Sequence, residues 1–155
     1  MKAEHARMHI LRPVLKHIGL WSEAAENLLL MTAATESNLG EHLVQIPSGP
    51  ARGWMQIETA TEFDVHTNWL QYRPEIRARV LELLPEWQDG DAMVGNLFYA
   101  AAIARVIYRR AAPPLPAAND WPGLARYWKV HYNTVGGKGT VEKCLADAKR
   151  LNIAE

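Results

Sequence analysis

Three short stretches carry residue types that could do chemistry together: Thr35-Glu36-Ser37, Gly53-Trp54-Met55-Gln56-Ile57 and Tyr132-Asn133. Upstream of Glu36, the run from Glu23 to Thr35 is rich in Ala and Leu and free of Gly and Pro, so it predicts a packed helix with Glu36 in its last turn. A carboxylate there meets the partial negative charge of the helix C-terminus, and apolar neighbours deny it water. Both effects raise its pKa, as a proton donor working near neutral pH requires. A lone Glu at a helix end is ordinarily just solvated; the downstream pattern sets Glu36 apart. Pro47-Ser48-Gly49-Pro50-Ala51-Arg52-Gly53 is too densely punctuated for helix and must fold back as a surface loop, delivering Trp54 to Ile57 to the helix end. Gln56 offers an amide with donors and an acceptor, and Trp54 an aromatic face suited to a sugar ring.

Glycosidic cleavage by an acid also asks whether a second carboxylate exists. An inverting enzyme needs a base that activates water, a retaining one a nearer nucleophile. Glu58, directly after the Gly-Trp-Met-Gln-Ile stretch, leads, with Glu41 and Asp64 behind it; each also reads as an ordinary loop or helix-start charge.

In their order, Glu36-Ser37, Gly53-Trp54-Met55-Gln56-Ile57 and Tyr132-Asn133 resemble the motifs of the lytic transglycosylase and goose-type lysozyme group. The longer forms, Thr-Glu-Ser-Asn-Leu-Gly and Gly-Pro-Ala-Arg-Gly-Trp-Met-Gln-Ile-Glu, are similar to the muramidases of phage lysis cassettes. The likeness covers about Leu28 to Asn133. It implies a lysozyme-like, mainly α domain that cuts the β-1,4 bond between N-acetylmuramic acid and N-acetylglucosamine in peptidoglycan. Glu36 would be the general acid, Tyr132 would hydrogen-bond and orient it, and Glu58 would tip the reaction toward hydrolysis. Ser37, Ser48, Trp54, Met55, Gln56 and Asn133 would hold substrate or the acid. The alternatives are lytic transglycosylation, giving 1,6-anhydro products, and a glycan-binding module without turnover. His131, Thr134 and Val135 depart from the small residues that flank the Tyr-Asn pair in the family. Asn96 falls where the family carries an Asn in its third motif, and its type suits a structural bond to neighbouring backbone.

Caps and punctuation predict the elements that must position these groups. Pro13 and Gly19 bracket a short helix over Val14 to Ile18, and Ser22 caps the helix that reaches Glu36. Thr59 with Glu62 fits a capping box for a helix running toward Leu70. Pro74 opens a helix ending before Pro85. Asp89 or Asp91 caps the longest and central helix, about Ala92 to Arg110, with Met93, Leu97, Ala100, Ala104 and Ile107 on one stripe. After Pro113, Pro114 and Pro116, Asp120 caps Trp121 to Tyr132, with Tyr127 and Trp128 in the core. Thr140 caps a last helix to about Asn152. The span Leu43 to Ile57 leaves room for a small β-hairpin.

The 155 residues suit a single domain over 1–155 with a sizeable core. The one cysteine, Cys144, excludes an internal disulfide and sits in a core pattern; the six histidines are scattered, and His5 and His9 lack a third ligand, so no metal or cofactor is expected. Gly136-Gly137-Lys138-Gly139-Thr140 lacks the strand and spacing of a phosphate loop. Lys2, Glu4, Arg7, Arg12 and Lys16 interrupt any apolar signal core, and no run is long enough to span a bilayer. A chain made in the cytoplasm, acting as a monomer on the wall in the periplasm and not on nucleic acid, is the expectation. Zero net charge hides an asymmetry: residues 21–100 hold 4 Lys/Arg against 12 Asp/Glu, and residues 101–150 hold 9 against 3. A basic half of this kind could face an anionic polymer or simply water.

Overall fold

The structure, a computed structural model, describes residues 1–87, 90–134 and 136–154. It is mainly helical with a two-stranded antiparallel sheet. No helix among the described residues is long and apolar enough to cross a membrane.

The N-terminal helix starts earlier than Pro13 suggests. Helix α1 (Ala3–Ala6) runs through a π turn (Arg7–Leu11) into α2 (Arg12–His17). In that turn Arg12 N–H reaches back five residues to the Arg7 carbonyl, and the widened turn lets Pro13, which has no N–H to give, sit inside the helix. Helix α3 (Glu23–Ser37) is capped by Ser22, whose Oγ accepts from Ala25 N–H at 3.1 Å. Eleven of its 15 residues are buried. It is therefore the central helix, packed against the 7–11 turn and against three helices from later in the chain.

One buried residue of α3 is a carboxylate. Glu26 is fully buried and takes hydrogen bonds from Arg7 (2.8 Å), from Arg12 (2.7 and 2.9 Å) and from the Trp21 indole (2.9 Å). Burial pushes its carboxyl up, yet these donors together hold it below the usual carboxylate range. The cluster fastens the N-terminal helix to α3.

The hairpin pairs β1 (Ala51–Arg52) with β2 (Ile57–Glu58), Ala51 opposite Glu58 and Arg52 opposite Ile57. Helix α4 (Thr59–Asn68) follows, but the capping box does not form. Thr59 is already helical, no side chain caps the start, and Glu62 instead accepts from Arg52 and from the Tyr99 hydroxyl (2.8 Å). A 3₁₀ turn (Leu70–Tyr72) leads to α5 (Pro74–Leu81), shorter than Pro85 implies.

The predicted long helix is broken in two, α6 (Ala92–Gly95) and α7 (Leu97–Arg109). Asn96 leaves helical geometry, its Oδ1 capping Tyr99 N–H at 2.9 Å while its amide donates to the Leu83 carbonyl at 2.8 Å. A tertiary bond thus outcompetes helical continuity. Asp91 caps α6 through Met93 N–H; Asp89 lies outside the described residues. Helix α8 (Trp121–Trp128), capped by Asp120, continues into a π turn (Lys129–Asn133), and Thr140 caps α9 (Val141–Arg150). Cys144 on α9 is buried, as its pattern predicts, and burial pushes its thiol up to about 11.

Candidate active site

How the chain leaves α3 fixes Glu36. Asn38, Leu39 and Gly40 take successive left-handed φ angles of 52°, 57° and 81°, while the Asn38 and Leu39 N–H groups return to the Ala34 and Ala33 carbonyls at 3.1 and 2.9 Å. A left-handed Leu costs about 1–2 kcal/mol, which full burial of the Leu39 side chain offsets. Ser37 then secures the returning loop. Its hydroxyl donates to the Trp54 carbonyl at 2.6 Å and accepts from Gly40 N–H at 2.8 Å. At Gly53, φ is +73° and a Cβ would overlap the Met93 carbonyl, so only glycine lets the turn lie this deep.

These contacts revise several expected roles. Ser37 is fully buried and bonds backbone, so it is a clamp and does not touch substrate. Trp54 is fully buried with its indole donating to the Leu97 carbonyl at 3.1 Å; it anchors the turn from within and presents no sugar platform. The Met55 side chain is likewise in the core. Ser48 is exposed in the 46–50 loop and lies outside the groove lining. An apolar face bound for a turn that folds inward packs; it does not wait for a ligand.

The other candidates converge. A groove of about 950 Å³ is lined by Glu36, Gln56, Glu58, Tyr132 and Asn133, with Arg110, Lys138 and Lys143 also on its walls. The acidic and basic halves of the sequence therefore meet across it. Glu58 is exposed and, among the described residues, its carboxylate makes no hydrogen bond or ion pair. Asp64 also lines the groove but is engaged by Asn68 and Arg110 at 2.6 Å each, which hold its carboxyl below the usual range. Glu41 is not in the lining. Gln56 sits at φ +50° with its amide donating to the Gly53 carbonyl at 2.9 Å, and Asn133 Oδ1 accepts from Lys129 at 2.8 Å.

Glu36 is half-buried. Burial pushes its carboxyl above the ordinary range, against the opposing pull of a hydrogen bond from Trp128 and the charge of Lys143. The Trp128 indole N–H donates to Glu36 Oε1 at 3.0 Å. The Tyr132 hydroxyl, expected on Glu36, donates to the Met55 carbonyl at 2.7 Å instead. The carbonyl is a partner already fixed by the turn, and a hydroxyl has one proton to give. Burial and the Glu36 charge raise Tyr132 well above the tyrosine value, so it stays neutral. Its ring stacks on Tyr108 at 5.1 Å, and the Tyr108 hydroxyl pairs with Thr32 Oγ1 at 2.7 Å.

Trp128 is the residue sequence reasoning placed only in the core. It is fully buried, and Gly139 packs so close that a Cβ there would stand 2.5 Å from the indole edge. Its four-residue spacing from Tyr132, one turn along the same helix face, was the available signal. Among the described residues no group of three or more His, Cys, Asp and Glu converges to hold a metal ion.

No protein-family model, curated protein or solved structure matches the chain.

Proposed function

We propose that the protein is a muramidase, cleaving the β-1,4 bond between N-acetylmuramic acid and N-acetylglucosamine by hydrolysis, with Glu36 as general acid. The observation that carries the reading is a half-buried carboxyl on an open groove, its pKa raised by burial and one of its oxygens bound by an indole. An indole N–H only donates, so Oε1 accepts; a carbonyl oxygen is the better acceptor, which favours the acidic proton on Oε2. That proton passes to the glycosidic oxygen as the C1–O bond breaks. Glu58, with no partner of its own, takes a proton from the water that adds to C1. Charge developing on Glu36 is stabilised by Trp128, whose bond to a carboxylate is stronger than to a neutral acid. Tyr132 acts at one remove, holding the Met55 carbonyl and so the turn that presents Gln56. Lys138 and Lys143 suit a polymer bearing carboxylates.

Glu36→Gln tests this. General-acid catalysis contributes roughly 10²–10⁴-fold, so clearing of purified peptidoglycan should fall by that order while circular dichroism is unchanged. Retained clearing defeats the reading. A reducing N-acetylmuramic end among the released muropeptides supports hydrolysis; a 1,6-anhydro end assigns the same acid to transglycosylation.

A further inference from the structure

Among the described residues two charged side chains are almost wholly buried, Glu26 and Arg105, and they are treated differently. Glu26 is surrounded by cationic partners. Arg105, at 8 % exposure, donates through Nε to the Leu20 carbonyl at 3.0 Å, and among the described residues no carboxylate pairs with it. Arg109, one helical turn on, likewise has no acidic partner among the described residues. Like charges at this spacing repel, and burial together with Arg109 pushes Arg105 down to about 10. A buried guanidinium left in this way is costly unless something anionic answers it.

The space for such an answer is present. Arg105 and Arg109 line a cleft of about 250 Å³ between the end of α7 and the 111–115 loop. Pro113, Pro114 and Leu115 give it an apolar wall, and Tyr127 closes it by donating to the Pro113 carbonyl at 2.7 Å. It shares no lining residue with the catalytic groove.

We propose that this cleft binds a phosphate monoester, clamped by the guanidinium groups of Arg105 and Arg109. Two fixed positive charges match a monoester of about −1.5 to −2 at neutral pH better than a single carboxylate, and guanidinium forks fit phosphate oxygens in pairs. The apolar wall would lie along the organic body carrying the phosphate. The site does not rest on the glycosidase reading.

Inorganic phosphate is the first probe, followed through the arginine Nε–Hε resonances of ¹⁵N-labelled protein at low ionic strength, with a sugar phosphate as second probe and acetate as control. Saturable one-to-one shifts at Arg105 and Arg109 are expected, weakened by salt, with the sugar phosphate binding at least as well as inorganic phosphate and acetate far more weakly. Exposed Arg109→Gln should weaken binding about tenfold or more without disturbing the fold; Arg105→Met should abolish it, and the Arg109 variant decides if that protein fails to fold. Shifts that do not saturate, an affinity unchanged in Arg109→Gln, or acetate binding as tightly as phosphate would each overturn the proposal.

Discussion

Replacing Trp128 by Phe removes the donor to Glu36 Oε1 at 3.0 Å while leaving an aromatic ring in the core. A hydrogen bond to a charged partner is worth about 1.5–3 kcal/mol. In its proposed role as general acid, Glu36 acquires charge only as it gives up its proton, so most of that energy is felt in the transition state and little in the bound ground state. kcat should therefore fall about ten- to a hundredfold, with KM nearly unchanged because the fully buried indole offers the sugar no surface. The pH profile carries a second signature. Losing a donor that favours the carboxylate raises the Glu36 pKa further, so the basic limb of kcat/KM moves to higher pH. Turnover of a soluble glycan oligomer measured across pH, well below the variant's melting temperature, reads both effects. A benzothiophene analogue of tryptophan, which keeps the shape and lacks the N–H, separates the bond from the packing. If that protein retains wild-type kcat and the wild-type basic limb, the indole does not govern the acid.

Tyr132→Phe leaves the Met55 carbonyl without its donor; a loss of about 1–3 kcal/mol in chemical denaturation is expected, with the basic limb of activity staying where it was, and a moved limb would place the hydroxyl on Glu36 after all. Ser37→Ala removes partners from both the Trp54 carbonyl and Gly40 N–H, and should cost about 2–4 kcal/mol in urea melts; a neutral result would mean the turn is held elsewhere. Glu26→Gln weakens the buried cluster by about 1.5–3 kcal/mol at pH 7. Because Glu26 is held below its ordinary value of 4.5, its contribution is full above that pH and disappears as pH falls through the folded pKa, so wild type and variant should converge in acid. Glu36→Gln has the opposite sign. The Glu36 pKa is raised, so the unfolded state ionises first and the folded state is increasingly penalised as pH rises from about 4.5 through the folded pKa; the variant should melt higher at pH 7 and match wild type below about pH 4.5.

What was legible in the sequence was local. Ser22, Asp91, Asp120 and Thr140 each cap the helix that follows, because a cap depends only on the next three residues. Distant partners hid the rest. Thr59 and Glu62 have capping-box spacing, yet Glu62 is claimed by Arg52 and Tyr99 from elsewhere in the chain. Asn96 breaks a helix for the sake of Leu83. Glu26 sits in a Leu-rich run, and its counter-charges lie 14 and 19 residues upstream. At the groove, residue types pointed to Glu36 but could not tell which aromatic would reach it. Periodicity sends Trp128 inward without revealing that one nitrogen faces a carboxyl, and it cannot foresee that Trp54 turns its face to the core.

The left-handed reversal at Asn38–Gly40 has an evolutionary corollary. Ser37 and Gly53 close the path between the helix end and the inward turn, so residues 46–50 bulge out as an exposed loop beyond the closure. Insertions there would lengthen a tether whose two ends are already pinned, at a cost that grows only slowly with length. New recognition segments could thus be trialled beside the groove while the helix end and the inward turn are inherited intact.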